Sequence, residues 1–367
     1  MRQVFLGFLP GSQPEAQGEG GGGQSPDQDR GGVDFVAEDH EYGAKHGAEN
    51  PGIEPRAALA AHSHGRGRAP GHVREKDAKH TQNAAQEFDR HVGHAPSVTQ
   101  QVWHNERMSL MDEIRHYSVA RGTAALWWLG QNGFIFKTAG GTVIAADLYL
   151  SNSCAAVAPP GMDLGRQVPV LIPPEEIDVD VYVCTHSHQD HADPETIGRL
   201  RHRDTMRFIG PHQACDVFRR CGIESGRIEA TWPDHTIEAG DITLRATFAM
   251  PTDDTDLNHV GYVFSFGGGP RVYMTGDTAA CELLGAARKH EPHAMIACIN
   301  GGFRNLSHEQ AALLAAEIRP RVAIPCHYDM FPDNAADPRQ FQAMLKLRAP
   351  EVHYAAPRHG EVLVLER

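Results

Sequence analysis

The sequence predicts an α/β domain over residues 108–367. Three observations carry that prediction. Short apolar runs of strand length come first as hairpins and then alternate with helical stretches, which suits layered α/β packing better than an all-β arrangement. A buried strand, Val179 to Thr185, runs into a polar segment and then a helix opened by Asp193-Pro194, an N-cap residue with proline at the first helical position. Another helix opens at Ser307, with Gln310 as its capping-box partner.

In chain order, Ala124 to Leu129 and Gly133 to Lys137 read as strands joined by the hairpin turn Gly130-Gln131-Asn132-Gly133. A second turn at Gly140-Gly141 leads into Thr142 to Leu150, with Asp147 near the strand end. After the Asp193 helix come a strand Met206 to Gly210, a helix His212 to Cys221, and strands near Arg227 to Thr231 and Ile242 to Met250. Strands Val260 to Phe266 and Arg271 to Thr275, a helix Ala279 to His290 and a strand Ala294 to Asn300 lead to the Ser307 helix. Strands Val322 to Pro325 and Glu361 to Leu365 complete the pattern.

Residues 1–107 read differently. They hold Gly20 to Gly23, scattered prolines and nine of the 23 histidines, with no sustained period of 2 or 3.6. Such a segment buries too little apolar surface to offset its ordering entropy, and a disordered extension is predicted. His62-Ser63-His64 imitates a metal site, yet no strand precedes it and no aspartate-histidine pair follows, so a solvated tail is expected.

Charge and cysteine content narrow the function classes. The balance 34 − 47 = −13, with no long Lys/Arg block, disfavours a polyanion partner, since phosphate backbones require a basic face. The seven cysteines form no C-x-x-C pair, and Cys184, Cys298 and Cys326 sit inside apolar runs. Buried free thiols in a reducing cytoplasm are the expectation. No stretch approaches the roughly 20 apolar residues of a membrane span. The apolar start Val4-Phe5-Leu6 is shorter than a signal-peptide core, and acidic, Gly-rich sequence follows. The expected partner is a small-molecule substrate, with neither nucleic acid nor membrane; a homo-oligomer is left open.

The chemistry concentrates in Thr185-His186-Ser187-His188-Gln189-Asp190-His191-Ala192-Asp193. If the first residues continue the strand, His186 and His188 project to one side, and Asp190 and His191 follow in the turn before the helix. Four metal-capable side chains then stand within six residues at the C-terminal end of a strand, where ligand sites form in such sheets.

This H-x-H-x-D-H segment resembles the signature of the metallo-β-lactamase superfamily, and the resemblance continues downstream. Asp277 in Thr275-Gly276-Asp277-Thr278 is similar to the superfamily's bridging aspartate, and His327 in Ile324-Pro325-Cys326-His327-Tyr328-Asp329 to its second-site histidine. Ala125-Leu126-Trp127-Trp128-Leu129-Gly130, Gly133, Lys137 and Ile209-Gly210-Pro211 bring the chain closer to the L-ascorbate-6-phosphate lactonase family. The resemblance spans roughly residues 123 to 340 and implies a four-layer αββα fold with one or two divalent metals, Zn²⁺ or Mn²⁺. It implies His186, His188, Asp190, His191, Asp277 and His327 as ligands, and Asp190 as the residue that orients the nucleophile.

One position departs from that pattern. Many superfamily members place a third first-site histidine between His191 and Asp277, where this chain has Phe248-Ala249-Met250-Pro251-Thr252-Asp253-Asp254. Either Asp253 or Asp254 takes that place, or His259 folds back into it. A carboxylate shifts preference toward harder ions such as Mn²⁺, whereas an all-histidine set suits Zn²⁺.

The resemblance implies a metal-dependent hydrolase that turns a metal-activated hydroxide on a small, sometimes phosphorylated, lactone or ester. Asp147 is a candidate orienter of a ligand histidine. Arg304 with Asn305 is a candidate contact to an anionic group, with a solvated loop as the favoured alternative, and Tyr328 a candidate donor to substrate, with core packing as the alternative. Two other readings compete: a metal-dependent phosphodiesterase or nuclease, and a metal-binding protein without turnover.

Overall fold

The strand Thr123–Trp128 (β1) shows how the sequence sets up the layers in the computed structural model, which describes residues 108–367. Ala124, Leu126 and Trp128 point into one apolar core, whereas Ala125 and Trp127 point into another. A strand apolar on both faces must be covered on both, and that requirement generates the stack. The extension expected at 1–107, with His62 and His64, lies outside the described residues.

The chain runs from helix α1 (Leu110–His116) through β1 to β2 (Phe134–Thr138), β3 (Val143–Ala146), the short α2 (Cys154–Val157) and β4 (Val181–Val183). Next come α3 (Pro194–Arg199), β5 (Arg207–Gly210), α4 (His212–Arg220), β6 (Ile228–Ala230), β7 (Thr236–Ala239), β8 (Ile242–Phe248), β9 (Val260–Phe266) and β10 (Arg271–Met274). The remaining elements are β11 (Ala294–Cys298), α5 (His308–Ile318), β12 (Val322–Cys326), α6 (Pro338–Arg348), β13 (His353–Tyr354) and β14 (Val362–Glu366).

Two seven-stranded sheets form. One is ordered β14-β1-β2-β3-β4-β5-β6 and the other β13-β12-β11-β10-β9-β8-β7. Each has an antiparallel part and a parallel part, β3 to β6 in the first and β10 to β13 in the second. The core between them packs Phe136 against Phe264 with ring centroids 4.9 Å apart. Each such fully buried aromatic contributes on the order of 2 kcal/mol through area alone. Residues of α1, α3 and α4 cover the outer face of the first sheet, and α5 and α6 pack with the second. The architecture is therefore the expected four-layer αββα fold.

The two capped helices form as expected. Asp193 accepts from the backbone N–H groups of Glu195 and Thr196, with Pro194 in the first turn, and Ser307 and Gln310 close a capping box. Two expected elements come out shorter. The strand after Gly140-Gly141 stops at Ala146, because Asp147 turns into the left-handed region at φ 48°. The helix expected from Ala279 begins at Glu282 and winds as a 3₁₀ helix to His290. Helices α1 and α6 and strands β7 and β13 join the elements expected from the sequence.

Candidate metal centre

The segments leaving β3, β4, β10 and β12 at their C-terminal ends, together with the start of β9, converge on one point. Backbone hydrogen bonds lock them: Val260 N–H donates to the Thr185 carbonyl at 3.0 Å, and His327 N–H to the Gln131 carbonyl at 2.9 Å. Three residues here, Gln131, Asp147 and His327, hold left-handed backbone with φ of 52°, 48° and 59°. Strain of that kind persists where the surroundings over-determine it, and it collects at functional sites.

Three overlapping donor groups result. His186, His188 and His259 form one, Asp190, His191 and His327 another, and His186, His191 and Asp277 join them, with the ligand atoms of each group within 4.8 Å of one another. The hydrogen-bond network sets the histidine tautomers. His191 Nδ1 donates to Asp147 Oδ2 at 2.8 Å, and His259 Nδ1 donates to the Asp277 carbonyl at 3.0 Å. Thr185 Oγ1 donates to Asp147 Oδ2 at 2.6 Å, so it accepts from His186 Nδ1 at 3.1 Å. Every Nε2 of these three rings then carries a lone pair.

Those Nε2 atoms and Asp277 Oδ1 are buried without a hydrogen-bond partner. Burying a polar atom unpaired costs about 1–3 kcal/mol, so four such atoms at one point require a shared partner. Asp277 Oδ1 lies 3.4 Å from His191 Nε2 and 3.2 Å from His327 Nε2.

The electrostatics have the same sign. Against burial, His191 and His327 hold both Asp190 and Asp277 well below the usual carboxylate range. Also against burial, Asp190, Asp277 and Asp147 push His191 well above its ordinary value, and Asp277 and Asp190 push His327 up to about 9. Burial, then the neighbouring His191, His259 and His188, holds His186 well below. The centre is built to hold positive charge between ionised carboxylates, and its imidazole and carboxylate donors fit divalent metal ions.

The sequence-derived candidates fall into place unevenly. His186, His188, Asp190, His191, Asp277 and His327 come together, and Asp147 touches His191 from behind. His259, not Asp253, completes the first histidine group. Asp253 lies at the rim with its side chain 47% exposed, its Oδ2 3.4 Å from His188 Nε2 and its Oδ1 capping Thr255. Tyr328 packs on Trp128 with centroids 5.0 Å apart and belongs to the core, the alternative weighed for it. Arg304 is exposed and outside the cavity lining, whereas Asn305 is buried and donates to Asp277 Oδ2 at 2.7 Å. That bond leaves Oδ1 of Asp277 as the free oxygen.

Gln131 went unanticipated. Its Nε2 donates to Asp190 Oδ2 at 2.6 Å and lies 2.8 Å from His327 Nε2, joining the two side chains of the second group. Asn132 beside it donates to Asp147 Oδ2 at 2.7 Å. The signal was a pair of amides between glycines, which a hairpin turn also explains.

The centre opens into a cavity of about 540 Å³ that reaches His188, Asp190, Asp277 and His327. A wider depression of about 800 Å³, lined by Arg271, Arg288 and Arg321, borders the starts of β10 and β12 and contains none of the grouped donors.

The fold and this centre define a class: the chain is similar to the metallo-hydrolases of the metallo-β-lactamase superfamily. A family model described as a beta-lactamase superfamily domain matches residues 158–328. Among curated proteins, the chain is similar to "Probable L-ascorbate-6-phosphate lactonase UlaG" of Salmonella heidelberg, 24% identical over 286 residues, covering 67% of this chain and 80% of that relative. Among solved structures it shares the fold of Igni18, a metallo hydrolase of Ignicoccus hospitalis (TM-score 0.54, 23% identity, covering 67% of this chain and 99% of that one). An isothiocyanate hydrolase from Delia radicum gut bacteria has the same fold (TM-score 0.54, 16% identity, covering 65% and 98%). Among the described residues, no helix is long and apolar enough to cross a membrane, and all seven cysteines are free.

Proposed function

We propose that this protein is a metal-dependent hydrolase of small lactones or esters, working in the cytoplasm. The observation that carries the reading is the pair of three-donor groups, linked by a third that joins His186 and His191 to Asp277, with Asp190 facing an open cavity. His186, His188 and His259 would hold one ion, Asp190, His191 and His327 the other, with Asp277 between them. The all-imidazole first group favours Zn²⁺ over Mn²⁺. Bound there, the ions would supply Lewis acidity toward the substrate's acyl oxygen and lower the pKa of water.

The chain's own residues account for the remaining requirements. Asp190, kept ionised by His191 and His327, stands at the cavity floor, where its carboxylate can take a proton from water. The water oxygen then bonds to the acyl carbon, the acyl C–O bond breaks, and Asp190 returns the proton to the leaving alkoxide. Gln131 fixes Asp190 in that position by donating to Oδ2. Asp147 and Asn305 hold His191 and Asp277 from behind.

The test is metal analysis of the isolated protein together with hydrolysis assays on lactones, esters and phosphodiesters. Lactone or ester turnover lost in Asp190→Ala and His191→Ala supports the reading. Turnover of phosphodiesters alone, or of nothing by the metal-loaded protein, overturns it.

A further inference from the structure

The cavity over the centre has two unlike halves. The floor carries the histidines and carboxylates already described. The wall is apolar: Val157, Pro159, Leu164, Phe303 and Phe331 line it. Phe331 and Cys154 belong to a small separate apolar cluster with Tyr149, Val168 and Met330, against which Leu164 packs, so this wall has its own rigid backing.

Two lining residues show apolar surface to water, Val157 at 59% and Phe303 at 48% exposure. Phe303 also sits in left-handed backbone at φ 51°, a costly conformation for a bulky residue. An aromatic ring held at that cost on a cavity wall is placed for contact with something that enters.

No lysine or arginine of the described residues lines the cavity. Arg304, next to Phe303 in sequence, is exposed and stands outside the lining, and Arg166, two residues from Leu164, is committed elsewhere: Nε donates to the Val168 carbonyl at 2.5 Å, Nη1 donates to the Tyr149 carbonyl, and the guanidinium lies over the Tyr149 ring. The charged side chain on the rim is Asp253. A dianionic phosphate would enter past a carboxylate and find no guanidinium or ammonium in the lining to meet it, although such pairs are how phosphates are bound.

We propose that the substrate is uncharged, and that its non-reacting part is an apolar chain seated against Val157, Leu164, Phe303 and Phe331. This selectivity rests on the hydrolase reading above and departs from the phosphorylated substrate in the name of the lactonase relative. A cavity of about 540 Å³ suits a ring of lactone size with a medium-length chain.

The experiment uses the full chain loaded with Zn²⁺ and a series of γ-lactones whose alkyl chain lengthens from none to eight carbons, with a phosphate-bearing γ-lactone beside them. Expected is a rise in kcat/KM of about fourfold per methylene until the wall is filled, from the transfer of each CH₂ out of water. The phosphorylated lactone should fall below the chainless ring. Phe303→Arg should invert the order, and Leu164→Ala, on another loop, should flatten the chain-length slope even if the strained loop rejects arginine.

Calorimetric binding of 2-hexylcyclopentanone, a ring that cannot hydrolyse, against cyclopentanone gives a readout apart from turnover. Lactone turnover without chain dependence, or a preference for the phosphorylated compound, overturns the proposal and leaves the hydrolase reading standing. Tighter binding of the hexyl ketone with no turnover of any ester overturns the hydrolase reading and keeps the apolar seat. Failure of both readouts overturns both.

Discussion

Asp147 Oδ2 accepts from His191 Nδ1 at 2.8 Å with both side chains fully buried, and the same carboxylate receives the Thr185 N–H at 2.7 Å and the Asn132 amide at 2.7 Å. One aspartate thus ties the ends of β3 and β4 to the β1–β2 turn and fixes the proton of His191 on the ring nitrogen that faces away from the centre. Asp147→Ala should lower metal affinity by roughly 10- to 100-fold, the usual loss for an outer partner of a ligand histidine. Chelator-competition titration measures it. Wild-type affinity in a folded variant would sink the positioning role.

His259 and Asp253 offer a direct comparison. The histidine is buried with its Nε2 free and its ring centroid 4.0 Å from that of His186, whereas the carboxylate is half-exposed and occupied with Thr255. His259→Ala should cost more metal affinity than any outer-partner variant and drop the bound metal by one equivalent. Asp253→Ala should stay within about fivefold of the parent, as expected for an exposed polar contact. Metal content after gel filtration decides between them, and the reverse order would return Asp253 to the first group.

Much of this centre is legible in the sequence because its ligands are local or follow strands. The histidines and aspartate of 186–191 stand in one turn between a buried strand and a capped helix, so spacing alone gathers them. Asp277 and His327 follow apolar strand runs, and it is the resemblance to the superfamily's order of ligands that singles them out. What escapes is long-range or conformational. From the sequence His259 is only one alternative beside Asp253 and Asp254, because it sits just before β9 and the antiparallel pairing of β8 with β9 is what returns it to His186. Gln131 reaches Asp190 only because its backbone turns left-handed, which an amide in a Gly-flanked turn does not announce. The early end of the strand at Ala146 has the same cause, since apolar periodicity carries on to Leu150 while Asp147 reverses the backbone.

Gly276 precedes the shared aspartate and permits no side chain. Its φ is +62°, and a Cβ there would stand 2.8 Å from Cβ of Thr185, part of the branched residue that supports His186. Gly276→Ala adds left-handed strain to an overpacked contact, together about 2–4 kcal/mol. The melting temperature should fall by roughly 5–10 °C, and metal affinity should weaken as Asp277 shifts. An unchanged melting curve would show that the β10 exit yields more easily than its packing implies.

Far from the centre, Asp241 in the β7–β8 turn clips the second sheet to the first: Oδ1 accepts from Oγ1 of Thr138, at the end of β2, at 2.6 Å, and Oδ2 from the N–H of Gly140, in the β2–β3 turn, at 3.0 Å. Burial opposes ionisation here, but hydrogen bonds from Thr138, Thr142 and Gly140 outweigh it and hold the carboxyl below its ordinary 3.8. A carboxyl with a lowered folded-state pKa binds fewer protons folded than unfolded. Its contribution is therefore complete above about pH 4 and is lost as the pH falls through the lower folded value. Asp241→Asn should remove about 1 kcal/mol at pH 7, the hydrogen-bond contribution discounted for partial exposure. The difference should shrink below pH 4, where the parent carboxyl takes up its proton as well. Urea unfolding at pH 7 and pH 3 measures both, and a difference that grew on acidification would contradict the sign argued here.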